Sequence, residues 1–158
     1  MDIGQGNHVS IILRVYQWAD RIHVAAESVE MALTHDGLER FVSPVGVGAG
    51  DVVWSDRQTL PWHRAPNTWS LKHVPKQAGG EDRGVKFIRG HWLTIHPSCE
   101  TTIKQWPRYS LKMKDDIVLP EYDDHDDDAP DCVRYALHEL IYGLKEEIAT
   151  GAGANITF

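Results

Sequence analysis

The stretch that decides the fold is Asp127-Asp128-Ala129-Pro130-Asp131-Cys132-Val133-Arg134-Tyr135-Ala136-Leu137. Val133, Ala136, Leu137, Leu140, Ile141, Leu144 and Ile148 recur at i, i+3, i+4, i+7, i+8, i+11 and i+15, the apolar stripe of one amphipathic helix. Pro130 falls in the first turn, where a missing amide costs nothing, and Asp127 or Asp128 is placed to cap the free amides. Gly151 and Gly153 follow its end, so residues 151–158 read as a flexible tail behind one domain spanning 1–150. The helical wheel puts Asp131 about 140° from the centre of the apolar stripe, so it does not share a core with Leu137 and Leu140.

Upstream of this helix the chain reads as strands. Residues 8–16 (HVSIILRVY) and 21–29 (RIHVAAESV) are rich in Val and Ile, and the intervening Gln17-Trp18-Ala19-Asp20 suits a hairpin. Met1-Asp2-Ile3-Gly4 reads as the start of the first strand or the loop leading into it. Residues 35–41 predict a short helix and Asp51-Val52-Val53-Trp54 a compact strand. Pro61, Pro66, Pro75 and Gly79-Gly80 predict loops with at most short elements over 58–80. Helices are then expected near 81–90 and 100–106, with strands at 92–95 and 109–113. Strands followed by mixed elements and a closing helix make an α/β or α+β sheet protein.

The chain of 158 residues is long enough for one domain with a core. No apolar run approaches the roughly 20 residues of a membrane span, and the start lacks the basic and apolar regions of a secretory signal. Cys99 and Cys132 have no C-x-x-C spacing and read as reduced thiols. The net charge of −7 is unevenly spread. Residues 57–114 carry 11 Lys/Arg against 3 Asp/Glu, whereas residues 115–131 carry 9 acids and no base. Such runs are often solvated faces; they also suit a phosphate-attracting surface beside a cation-holding pocket.

Three acids stand at element boundaries: Asp2 in the opening segment, Asp56 after an apolar strand, and Asp131 at the head of the helix. Hard oxygen ligands suit Mg²⁺ or Mn²⁺, and two such ions about 4 Å apart can drive phosphodiester cleavage. Each acid has a plain structural reading too, Asp56 as a strand terminator and Asp131 as a partner of the helix dipole.

Residues 127–137 resemble the closing motif of the nuclease domain of phage terminase large subunits, a polar pair followed after two residues by Asp-Ala-Leu-Arg-Tyr-Ala. Asp2-Ile3-Gly4-Gln5-Gly6-Asn7 resembles that family's first acidic motif, and Val52-Val53-Trp54-Ser55-Asp56 its second. The resemblance spans roughly residues 2–142 in matching order. It implies an α/β, RNase H-like mixed central sheet flanked by helices. It further implies an endonuclease that cuts concatemeric double-stranded viral DNA during packaging, in the host cell cytoplasm. Carried over, Asp2, Asp56 and Asp131 would hold two Mg²⁺ or Mn²⁺ ions, with Asp128 as an accessory ligand. Arg57, Lys76, Arg83 and Lys86 are the expected DNA-backbone contacts. The resemblance also implies an upstream ATPase domain, a small terminase subunit and a portal as partners; no Walker A sequence occurs in this chain itself. Two departures stand out: Asp127-Asp128 replaces the family's Asp–His or Asn–His pair, and Pro61 and Pro66 interrupt the helix expected after the second acid.

Other readings fare worse. Asp124-x-Asp126-x-Asp128 imitates a calcium loop, but Ala129 and Tyr135 stand where Gly and Glu are required. The histidines lack zinc-site spacing. Trp62 or Trp69, set among Arg57, Arg64, Lys72 and Lys76, could touch DNA, although core packing is the first explanation. A non-catalytic docking domain of a packaging motor and a junction resolvase-like nuclease remain alternatives on the same fold.

Overall fold

The computed structural model describes residues 1–3, 9–34, 37–56, 69–114, 117–122 and 127–143. Arg57, Trp62, the acidic run over 123–126 and the chain from 144 onward lie outside those residues.

The expected hairpin forms from β2 (Val9–Trp18) and β3 (Arg21–Met31). A register shift after Arg14 leaves Ala25 as an extra residue, so side-chain parity changes along β3. Ala26 therefore packs with Ile12 on one face while Ile22 and Val24 are buried on the other. Asp2–Ile3 is a strand of its own, β1, antiparallel to β2 with Asp2 opposite Ile11. β6 (Trp92–Ile95) runs parallel to β3, giving a mixed sheet of order β1-β2-β3-β6.

A second, parallel pair joins β4 (Val52–Ser55) to β5 (Ser70–His73). The Met1 amino group donates to the Trp54 carbonyl at 2.7 Å and fastens β1 to β4. β5 lies where loops were expected; its short Ser-Leu-Lys-His run carries little strand propensity, and pairing with β4 decides its conformation. β7 (Leu111–Lys114) and β8 (Ile117–Tyr122) form an antiparallel ribbon. Pro120 within β8 hides that strand from sequence patterning, yet the edge of a two-stranded ribbon tolerates it.

Helices cover both faces. α1 (Leu38–Val42) and the short turn after it pack Phe41, Val42 and Val45 against Ile12, Val53 and Trp69. Trp69 is thus a core residue, and the idea that it touches DNA is set aside. On the opposite face α2 (Gly80–Arg89), α3 (Glu100–Gln105), α4 (Asp128–Ala136) and α5 (His138–Tyr142) bury Ile88, Cys99, Val133, Leu137 and Ile141 against Ile22 and Val24. Ala129 and Cys132 meet Ile11. Both thiols are free and buried. Each fully buried aliphatic side chain of this kind contributes about 1.5–3 kcal/mol.

The long closing helix predicted from the stripe is two helices. Leu137 leaves helical geometry with φ −95° and ψ 9°. Across the break Val133, Leu137 and Ile141, spaced four residues apart, stay in one buried cluster as the stripe predicted, while Leu140, also expected in the stripe, is 36% exposed. Packing of the His138 ring against Trp54 at 5.3 Å and Tyr142 at 4.7 Å accompanies the new direction.

Candidate functional site

Three connections bring separate segments to one end of the sheet. Asp2 pairs directly opposite Ile11 on β2, and Ile11 packs beneath Ala129 and Cys132 of α4. The Cys132 thiol donates to the Ile11 carbonyl at 3.4 Å. The Met1–Trp54 bond lays β1 beside β4, which ends just before Asp56.

The first turn of α4 is set by a relay of caps. Glu27 on β3 accepts the Thr101 and Thr102 amides at 2.7 and 3.0 Å, which fixes the start of α3. At the other end of α3, Gln105 accepts the Ala129 amide at 2.8 Å and donates to Asp128 at 3.4 Å. Asp127 is the N-cap residue but its side chain makes no capping bond, contrary to expectation. Gln105 instead satisfies one of the free amides of this turn, that of Ala129.

The electrostatic outcome is concentrated on Asp2. Burial, then the charges of Asp56, Asp128 and Asp131, push its carboxyl from 3.8 up to about 7. The nearby amino terminus offsets little of this. Asp127 is pushed up to about 6, by burial first and by Asp131 next. Asp56, Asp128 and Asp131 therefore each lie within electrostatic reach of Asp2.

Asp56 and Asp131 line the same cleft, of about 570 Å³, whose walls include Lys76, Glu81, Asp127, Arg134 and His138. Asp131 lies on the cleft side of α4, away from the Val133 cluster, so its angular offset from the apolar stripe is what aims it at the site. Its carboxylate is held twice: Arg134 donates to Oδ1 and the Tyr135 hydroxyl to Oδ2 at 3.0 Å. The side chains of Arg134 and Asp131 are 14% and 16% exposed. Arg134 lies across α2 at Gly84, where a Cβ would come within 2.9 Å of the arginine Cδ; a side chain at 84 would push it aside. Tyr109 donates to Glu81 at 2.9 Å and stacks on Tyr122 with ring centres 5.2 Å apart. In the same wall, burial lowers the pKa of His138, which favours the neutral imidazole.

The expected DNA contacts are spread around this cleft. Lys76 lines it. Arg83 and Lys86 are exposed on α2, Arg83 over the Tyr142 ring at 5.1 Å and Lys86 paired with Asp82 at 2.6 Å. Arg57 is outside the described residues. Sequence reading passed over Arg134, Tyr135, Glu81 and His138 as site residues. The i+3 and i+4 spacing of Arg134 and Tyr135 from Asp131 is the signal that could have found the first two.

The fold is similar to the g2p (large terminase) nuclease domain from the bacteriophage SPP1 with bound Mn, at a TM-score of 0.72 and 16% identity. The match covers 87% of this chain and 82% of that one. The fold is RNase H-like. Its mixed sheet flanked by helices is the architecture that the sequence resemblance implied. No family profile and no curated protein matches the chain.

A divalent metal has to be weighed against these residues. Among the described residues no group of three Asp, Glu, His or Cys side chains is arranged ready to hold an ion. The chemistry of the donors nevertheless fits: Asp2, Asp56, Asp128 and Asp131 are all hard oxygen donors, and repulsion by the other three adds to burial, the larger cause, in raising Asp2. A cation relieves that repulsion.

Proposed function

We propose that this chain is a divalent-metal-dependent endonuclease cleaving double-stranded DNA, and specifically concatemeric viral DNA during genome packaging. The observation that supports this reading is that Asp56 and Asp131, from distant segments, line one cleft and that the charges of both reach Asp2, on an RNase H-like sheet. The bound Mn of the similar terminase nuclease domain supports the choice of metal.

Asp2, Asp56 and Asp131 would hold two Mg²⁺ or Mn²⁺ ions, with Asp128 as a further oxygen donor. When bound, the ions supply Lewis acidity toward the scissile phosphate and toward the attacking and leaving oxygens. The chain's own residues then have distinct tasks. Buried Asp2 stores repulsion that favours cation binding. Tyr135 orients Asp131 through its hydroxyl. Lys76 at the cleft and Arg83 on α2 are placed to hold the DNA backbone, which gives strong salt dependence and little sequence preference. Lys86, exposed on α2, would extend that basic surface, and Arg57 is proposed as a further backbone contact. An upstream ATPase domain, a small subunit and a portal complete the proposed packaging setting.

The decisive test is plasmid nicking in Mn²⁺ by Asp131→Asn. The expected result is loss of nicking with an unchanged circular dichroism spectrum. Undiminished cutting by a folded variant would overturn the assignment and favour a docking role.

A further inference from the structure

We propose that Arg134 is an internal counter-cation for Asp131, a positioning residue that divalent ions must displace from this carboxylate when they bind. The inference rests on the nuclease reading of the cleft and adds a control on its metal affinity.

Three observations carry it. The guanidinium donates to Asp131 Oδ1 while Tyr135 takes Oδ2, so both oxygens of the acid are engaged by the protein itself. The acid so engaged is also one whose charge reaches Asp2. Secondly, the arginine is fitted to this place: its methylenes cross α2 at Gly84, and its guanidinium lies 5.7 Å from the Tyr135 ring centre. Thirdly, the fit is incomplete, because Arg134 Nε is buried with no hydrogen-bond partner among the described residues. A buried donor left unsatisfied weakens the hold of its side chain. Arg134 is thus held firmly enough to neutralise Asp131 and loosely enough to let it go. It lines the cleft, where it can swing toward a DNA phosphate once Asp131 is taken.

The test is calorimetric titration of the whole chain with Mn²⁺, paired with thermal unfolding in the presence and absence of Mn²⁺. Arg134→Gln is expected to tighten Mn²⁺ binding about tenfold, equivalent to about 1.4 kcal/mol. Its loss of thermal stability without added metal should shrink at saturating Mn²⁺. Arg134→Lys keeps the charge but not the planar fork, so direct occupancy predicts several-fold tightening there as well. Affinity equal to wild type in Arg134→Lys would reduce the arginine to a background charge and overturn the proposal. Should Arg134→Gln not fold, Gly84→Ala retains the guanidinium and displaces its stem. A few-fold tightening is expected from that variant, and unchanged affinity also overturns the proposal. Wild-type binding that Arg134→Gln weakens or leaves unaltered rejects this inference alone. Absence of any Mn²⁺ binding by the wild-type chain rejects the nuclease reading and this inference with it.

Discussion

Two arginine–aspartate pairs in this molecule use the same groups for different ends. Arg14 on β2 donates to the Val45 carbonyl at 2.5 Å, to the Gly46 carbonyl at 2.5 Å and to Asp51 at 2.9 Å, while Asp51 also accepts the Gly48 amide at 2.9 Å. This pair closes on itself and clamps the loop between α1 and β4. In the cleft, Arg134 engages Asp131 with Nε left unpartnered among the described residues, and Asp131 faces further carboxylates. A satisfied network rigidifies; a partly satisfied one beside surplus like charge is poised to exchange partners. Asp51, engaged by Arg14 and the Gly48 amide just before β4, stands apart from Asp56, which lines the cleft.

The contrast can be broken most decisively by cutting activity. Asp56→Asn is expected to lower plasmid nicking by more than about 100-fold, beyond the 10–100-fold typical of residues that merely support a ligand. Asp51→Asn should leave the cutting rate near wild type in the same assay. Equal losses in the two would erase the functional distinction.

The two acids should also respond oppositely to pH. Asp2 has a folded pKa raised from 3.8 to about 7, so its ionisation penalises the folded state. The penalty is absent below about 3.8 and complete above about 7. Asp2→Asn should therefore stabilise the chain by roughly 2–4 kcal/mol at pH 8 in chelator, and by little at pH 4, in urea unfolding. Asp51 is lowered, by the Gly48 amide first and then by Arg14. Its contribution is present above its unfolded pKa and lost as pH falls through the folded one. Asp51→Asn should thus destabilise at neutral pH and have a vanishing effect in acid. A shared sign for both variants would refute the electrostatic account.

Arg14→Ala is expected to cost about 1–3 kcal/mol of stability, because it strands the Val45 and Gly46 carbonyls and Asp51. DNA cutting at a temperature where the variant remains folded should be retained. The smallest effect is sought at Lys76. Lys76→Ala should weaken DNA binding alike across sequences and reduce the salt slope by about one. An unaltered slope would remove Lys76 from the contact surface.

Much of the architecture was legible in the chain. The Val- and Ile-rich runs announced the hairpin, and the order of Asp2, Asp56 and Asp131 gave a candidate site. β5 and β8 escaped notice because short strands, one containing Pro120, are specified by their partners rather than by periodicity. For Trp69 core packing, the first explanation, holds, and the lesser reading drawn from its basic neighbours does not. Neighbours in sequence do not reveal which way a side chain faces.

The sequence by itself determined which elements could form and which acids stood at their ends, since period and turn chemistry are local properties. Only the tertiary structure decided that Leu137 would break the closing helix, that Gln105 would cap α4, and that Arg134 would hold Asp131. These depend on contacts such as Ile11 beneath Cys132 and Met1 beside Trp54, made between segments far apart in the chain. Their energies exceed local preference only once the sheet and both helical layers have assembled.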